Sequence, residues 1–288
     1  LLGGVSNRGS IGGVIAANLS GPRRIAAGAA RDHFLGFSAV SGRGESFKSG
    51  GRVMKNVTGY DLSKLIAGSW GTLAVLDEVS VKVLPAPDQT RTLVLHGLDG
   101  AAAVRAMCAA MGSPHEVSGA AHVAGKTLLR IEGVAPSVEA RLAGLRELLG
   151  ASAAEELGTL ESRNLWRDIR DVKLLTKSTD AIVWKISCAP TDGPAIVGRI
   201  KAQRAAAQAI YDWSGGLIWL ALPPSADADH TLVRGALSGG HATLIRAPES
   251  VRTAVPVLQP QPPALAALST RVKESFDPKG LFNPGRMG

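Results

Sequence analysis

At 288 residues, 45% of them hydrophobic and 19% charged, the chain has room for one large domain or two ordinary ones and enough apolar content for a core. No apolar run reaches the roughly 18 residues needed to cross a bilayer, and no charged-then-apolar leader opens the sequence. The net charge of +8 comes from basic residues spread along the chain, with Arg23-Arg24 the only adjacent pair. Aromatic residues do not interleave with them as a nucleic-acid stacking platform requires, so the expectation is a solvated basic surface with scope for a diphosphate ligand or an acidic partner.

The sequence opens Leu1-Leu2-Gly3 without an initiator Met, which reads as a natural N-terminus left out. Cys108 and Cys188 lie far apart with no metal-like spacing, so reduced thiols in a cytoplasmic protein are expected. Residues 1–87 are glycine-rich, with short apolar runs broken by turn signals. Within them, Asp61 to Ala67 predicts a helix with Leu62, Leu65 and Ile66 on one side and Asp61 as its cap. Gly68-Ser69-Trp70-Gly71 predicts a turn, and Val79, Val81 and Val83 alternate with polar residues as in a half-buried strand.

From about residue 88 the texture changes. Leu93–Leu98 predicts a strand, and Asp99 a cap for a helix running through Met111 to Gly112. Val117–Val123 and Thr127–Val134 predict strands. Ser137 predicts the cap of a helix carrying Val138, Leu142, Leu145 and Leu149, stopped at Gly150. Ala181–Cys188 is strand-like, a helix follows Pro194, and Ala209–Trp213 pairs with Leu217–Leu222 as a hairpin. Such a mixture predicts an α+β fold, an antiparallel sheet covered by helices. Val255–Pro263 reads as a linker, and Leu265, Leu268, Val272 and Phe276 mark one face of a last helix stopped by Asp277-Pro278. No internal repeat is visible.

The first chemical signal is Gly9-Ser10-Ile11-Gly12-Gly13, followed by Val14-Ile15-Ala16-Ala17-Asn18. Glycines let an anion approach backbone N–H groups, and a helix starting near Gly13 would add its N-terminal partial charge. A glycine-rich turn with no ligand fits this segment equally well, and it is not the usual dinucleotide fingerprint. Two further stretches follow: Lys55-Asn56-Val57-Thr58-Gly59-Tyr60-Asp61-Leu62 running into Gly68-Ser69-Trp70-Gly71-Thr72-Leu73, and the ending Phe276-Asp277-Pro278-Lys279-Gly280-Leu281-Phe282-Asn283-Pro284-Gly285-Arg286.

In this order and at these separations, the three stretches resemble the vanillyl-alcohol-oxidase, or PCMH-type, FAD-binding family, and within it the flavin subunits of bacterial glycolate oxidases. The resemblance implies FAD as cofactor. It implies a PCMH-type FAD-binding domain, second subdomain, in residues 1–87, an antiparallel-sheet α+β cap domain in 88–262, and a return to the flavin domain in 263–288. Gly9, Ser10, Ile11, Gly12 and Gly13 would meet the diphosphate and nearby ribose, with Asn18 and Val53 near the flavin or adenine. Tyr60 and Asp61 read equally well as structural, a phenol hydrogen-bonded in a core and a helix cap. The family's first flavin loop would precede Leu1, so the chain alone is expected to hold FAD weakly or not at all.

The family's metal-binding histidine stretch is replaced here by Tyr211-Asp212-Trp213-Ser214-Gly215-Gly216-Leu217-Ile218-Trp219, so no metal is expected in this chain. His241 is the counterpart of a family histidine near the flavin and the candidate catalytic base. His33, His96, His115, His122 and His230 have no ligand spacing. The activity implied is oxidation of glycolate to glyoxylate, with a sister flavin catalytic subunit and an iron–sulfur subunit as partners. The small hydroxy acid is the substrate, and the location is cytoplasmic or peripheral at the inner face of the membrane, without insertion. The alternatives are a stand-alone FAD-dependent 2-hydroxy-acid or alcohol oxidoreductase and a non-catalytic scaffold of the complex.

Overall fold

The computed structural model describes residues 9–55, 59–176, 178 and 180–287. The chain divides into two compact units. One contains Pro22–Ala26 and Ala86–Gln259, the other residues 9–21, Ala27–Pro85 and the segment from Pro260 onward. No helix among the described residues is long and apolar enough to cross a membrane.

The smaller unit is built on β1 (Phe34–Ser41), β2 (Ser46–Gly50) and β3 (Ala74–Val81), an antiparallel sheet in the order β2-β1-β3. Its core holds Ile15, Phe34, Phe37, Ala39, Ile66, Leu73 and Ala74. The rings of Phe34 and Phe37 lie 5.6 Å apart, and Phe47 meets Phe37 edge-on at the same separation. Helix Leu62–Ile66 starts as expected, the Asp61 carboxylate accepting from the Lys64 amide at 3.3 Å. The strand around Val79 is displaced from its prediction. It begins at Ala74 and ends at Val81, where its partner ends at Phe34, and Val83 is 80% exposed. Helix Pro263–Phe276 seats only Val272 and Phe276 on the core, while Leu265 and Leu268 stay exposed because the core reaches only its last turns.

The larger unit contains one antiparallel sheet. Its strands are β4 (Gln89–His96), β5 (Gly119–Val123), β6 (Lys126–Gly133), β7 (Glu155–Leu157), β8 (Ile182–Ser187), β9 (Gln208–Asp212), β10 (Leu217–Leu222) and β11 (His241–Arg246), in the order β11-β8-β10-β9-β5-β6-β4-β7. That order contains a duplication the sequence does not show. β4 to β7 with helices Gly100–Met111 and Ala135–Leu148 form a βαββαβ motif, and β8 to β11 with helices Gly193–Gln203 and His230–Gly235 form a second one of identical strand order. The halves meet at β5 and β9, through the single ladder pair His122–Tyr211.

Alternation decides which residues face which layer. On β8, Trp184 and Ile186 join the core beneath these four helices, with Met107, Leu142, Leu145 and Ile200. Val183 faces the opposite layer with Trp166, Ile169, Leu217 and Trp219. Helix Gly100–Met111 starts at Asp99, whose carboxylate accepts from the Ala102 amide at 2.8 Å. Helix Ala135–Leu148 begins two residues before the expected Ser137 cap, because Pro136 fits the first turn, where no amide donor is required. Helix Thr159–Arg170 covers the second layer and escaped sequence reading, since its charged residues leave few apolar positions to count.

Candidate functional site

Ser10 caps helix Ile11–Ala17, its hydroxyl accepting from the Gly13 amide at 3.1 Å, so the helix starts two residues earlier than expected. In a first turn the amides of Ile11 and Gly12 have no intrahelical acceptor. Gly9, Ser10, Ile11 and Gly13 are exposed and Gly12 half-buried. None of the three glycines adopts a left-handed φ. A Cβ added at Gly9 would meet nothing within 4 Å; at Gly12 it would lie 3.7 Å from Leu76 Cβ, and at Gly13 3.4 Å from Ser10 Oγ. Neither packing nor backbone conformation demands glycine here, and two glycines in a short helix cost about 2 kcal/mol against alanine. What they provide is open access to neutral N–H donors and a hydroxyl, a donor set that fits a diphosphate.

The other end of this helix is held by the second stretch. Gly68 N donates to Ile15 O at 3.1 Å and Trp70 N to Ala16 O at 2.8 Å. Asn18 closes the helix in a left-handed conformation, φ 45°, and its Oδ1 accepts from Arg31 N at 3.0 Å. This side chain is already engaged within the chain. Val53 is 61% exposed and Tyr60 91% exposed, so the phenol is not a core residue. Asn56, Val57 and Thr58 lie outside the described residues.

The third stretch locks onto the second. Asp277 is buried, ion-paired with Lys273, and accepts from Leu281 N at 3.0 Å and Phe282 N at 2.8 Å. Burial pushes its carboxyl up, but the Lys273 and backbone hydrogen bonds outweigh that and hold it at about 2. Lys273 Nζ also donates to Thr72 O at 2.6 Å, and Arg286 lies over the Trp70 ring at 5.2 Å. His33 bridges two carbonyls of the same unit, Lys82 O at 3.0 Å and Ala27 O at 2.7 Å, a structural role.

His241 belongs to the larger unit, at the start of β11, exposed and opposite Ser187 of β8. Partial burial, then Lys185 and Arg24, lower its pKa, which favours a neutral imidazole. Three charged groups of this sheet layer were not picked out from sequence. Asp212 is 1% exposed, and burial raises its pKa to about 7 against the Trp213 amide bond and Arg130. Arg130 lies 4.5 Å over the Trp166 ring, and burial lowers its pKa to about 10. Lys185 is lowered to about 8, by burial and then Arg24. The signal available was a lysine inside the otherwise apolar run Ile182–Ile186. The stretch from Tyr211 to Trp219 is a hairpin whose large side chains are core residues.

No family model matches the chain. It is 35% identical over 276 residues to the glycolate oxidase subunit GlcE of Escherichia coli K12, covering 96% of this chain and 71% of that subunit. Over 85 residues it is 40% identical to the glycolate oxidase subunit GlcD of Bacillus subtilis 168, covering 30% of this chain and 18% of that one. Among solved structures, an alkyldihydroxyacetonephosphate synthase matches with a TM-score of 0.62 at 16% identity, over 96% of this chain and 58% of that one. A VAO-type flavoprotein of Myceliophthora thermophila C1 matches with 0.60 at 16% identity, over 98% of this chain and 61% of that one. The architecture is therefore that of VAO-type flavoproteins, and the chain belongs to the GlcE family of glycolate oxidase subunits.

Proposed function

We propose that this chain is the FAD-binding subunit of a glycolate oxidase complex that oxidises glycolate to glyoxylate. In this reading it works with a sister flavin catalytic subunit and an iron–sulfur subunit that takes up the electrons. The observation that carries the reading is the first turn of helix Ile11–Ala17, where glycines that the chain's own packing does not require leave amides open. Membership of the GlcE family supports the reaction and the multi-subunit assembly.

Bound flavin supplies the two-electron acceptor for the reaction. The chain's residues do the rest. The Ile11 and Gly12 amides and the Ser10 hydroxyl hold diphosphate oxygens, with Gly9 and Gly13 keeping approach open. Val53 lies near the flavin or adenine; Asn18 acts indirectly, by closing the helix. Residues 1–87 and 263–288 serve as the flavin-domain portion and 88–262 as the cap, a division supported by unit boundaries at Ala86 and Gln259. His241, favoured as a neutral imidazole, can accept a proton from a substrate hydroxyl through a ring nitrogen. Location at the inner face of the membrane through partners belongs to this reading too.

The test uses the full-length protein co-expressed with both partner subunits. Glycolate-dependent dye reduction should require this chain. Gly9→Val, at a position where an added Cβ meets no atom of the described residues within 4 Å, should leave the melting temperature unchanged and lower flavin content several-fold. Unchanged flavin content in that variant, or full activity without the chain, overturns the reading.

A further inference from the structure

The two halves of the eight-stranded sheet finish their outer edges differently. His122 and Tyr211, the rung at which the halves meet, hold equivalent places. Counted outward across the ladders, the path from His122 through Thr127 to Leu95 matches the path from Tyr211 through Ile218 to Ile186. Leu95 therefore corresponds to Ile186, and His96 to Ser187. In the second half β11 reaches both positions, Ala242 pairing with Ile186 and His241 with Ser187. Ala242 is fully buried in the core beneath the helices.

In the first half the edge strand stops short. β7 pairs Glu155 with Val94, and no residue of β7 stands opposite Leu95 or His96. The chain ahead of β7 turns on itself instead, Ala151 N donating to Arg146 O at 2.8 Å and Ala154 N to Ala151 O at 3.0 Å. Among the described residues no backbone hydrogen bond joins residues 95–98 to residues 150–154. An unpaired strand edge is a template for another strand.

Beside this open edge lies a cleft of about 430 Å³, whose walls include Leu95, Leu98, Ala102, Ala106, Ala151 and Ala154. Leu95 faces the same layer as Ile186, so the cleft stands where the second half buries Ala242. On the opposite face of the strand His96 Nε2 lies 2.7 Å from Glu155 Oε2, and the Glu155 side chain is still 45% exposed. No Lys or Arg is among the residues lining the cleft. Side chains alternate along a strand. A segment added here would therefore place one residue in the cleft and the next beside Glu155.

We propose that the β4 edge at residues 95–98 takes up an extended segment of a partner chain, which completes the edge as β11 completes it in the second half. An apolar side chain of the segment fills the alanine-walled cleft, and a neighbouring lysine or arginine meets Glu155. Main-chain hydrogen bonds to the edge supply affinity, and the cleft and the carboxylate supply selectivity. The surface belongs to the larger unit alone and requires neither flavin nor substrate.

The test is fluorescence anisotropy of the full chain with an end-capped, fluorescein-labelled pentapeptide in which leucine alternates with lysine. Saturable binding is expected, at least tenfold weaker in Ala106→Leu and in Ala102→Leu, which fill the cleft. Binding should also weaken at least tenfold when the peptide's backbone nitrogens are methylated, and several-fold in Glu155→Gln. Ala106→Leu and Ala102→Leu should melt no lower than the parent, because both positions border open space; if one fails to fold, the other and the methylated peptide decide. The proposal is overturned if the peptide does not saturate, or if the folded leucine variants bind it as tightly as the parent. Equal affinity for the methylated peptide would mark a cleft for apolar small molecules and overturn it too. So would self-association of the parent in sedimentation that Ala106→Leu abolishes, since the occupant would then be a second copy of this chain.

Discussion

The side-chain amide of Asn283 donates to the main-chain carbonyl of Trp70 at 2.8 Å, across 213 positions of sequence. Two stretches that looked like separate motifs are thus one joint, completed by Lys273 reaching Thr72 O and Asp277. Asn283 adopts φ 42°, a conformation asparagine tolerates better than alanine. Asn283→Ala loses both the bond and that tolerance and should destabilise the protein by about 2 kcal/mol in urea unfolding. Asn283→Gly, keeping the conformation, should lose about half as much.

Gly42 lies where a Cβ would approach the Asp277 Cα to 2.6 Å. Its amide donates to Phe276 O at 2.9 Å, so the backbone has no free direction of retreat. Gly42→Ala should therefore cost about 1–3 kcal/mol, read as a lower denaturation midpoint at unchanged slope.

Asp212 sets a pH dependence. Folded, it holds its proton up to about pH 7, whereas the unfolded chain releases it near the ordinary carboxyl value. The folded state binds the extra proton between those values, so stability falls as pH rises through the window and is level outside it. Asp212→Asn keeps an oxygen for the Trp213 amide and cannot ionise. It should match the parent at pH 4 and exceed it by roughly 3–4 kcal/mol at pH 8 in thermal or urea unfolding.

Replacing Gly12 and Gly13 by alanine separates folding from binding. Helix propensity should raise stability by up to about 2 kcal/mol. Flavin content after purification with the partner subunits should fall, because methyl groups then stand beside the open amides. Equal flavin content together with higher stability would remove the diphosphate role from this turn.

Legibility followed how local each signal was. The hairpin of β9 and β10 and the helix capped by Asp99 were readable because alternation, turn and cap lie within a few residues. β1 and β2 were not, since Gly36, Gly50 and Gly51 interrupt their apolar pattern; an added Cβ at Gly36 would lie 2.9 Å from the Gly50 carbonyl carbon. The open turn at residues 9–13 was visible as composition. The charged groups Arg130, Lys185 and Asp212 were not, because three separate strands supply them and Lys185 sits in an apolar strand. The duplication escaped because Gln89–His96 and Ile182–Ser187 occupy equivalent places with unlike residues.

That duplication makes the eight-stranded sheet resemble a dimer interface folded into one polypeptide. Each half carries its own strands and helices, and a single rung, His122 to Tyr211, spans the boundary. A polypeptide severed between Arg170 and Ile182 would leave both halves topologically whole, to be rejoined by this rung and by the core in which Met107, Leu142 and Leu145 meet Trp184, Ile186 and Ile200. What unites the two halves is therefore side-chain packing on both layers of the sheet more than the backbone ladder.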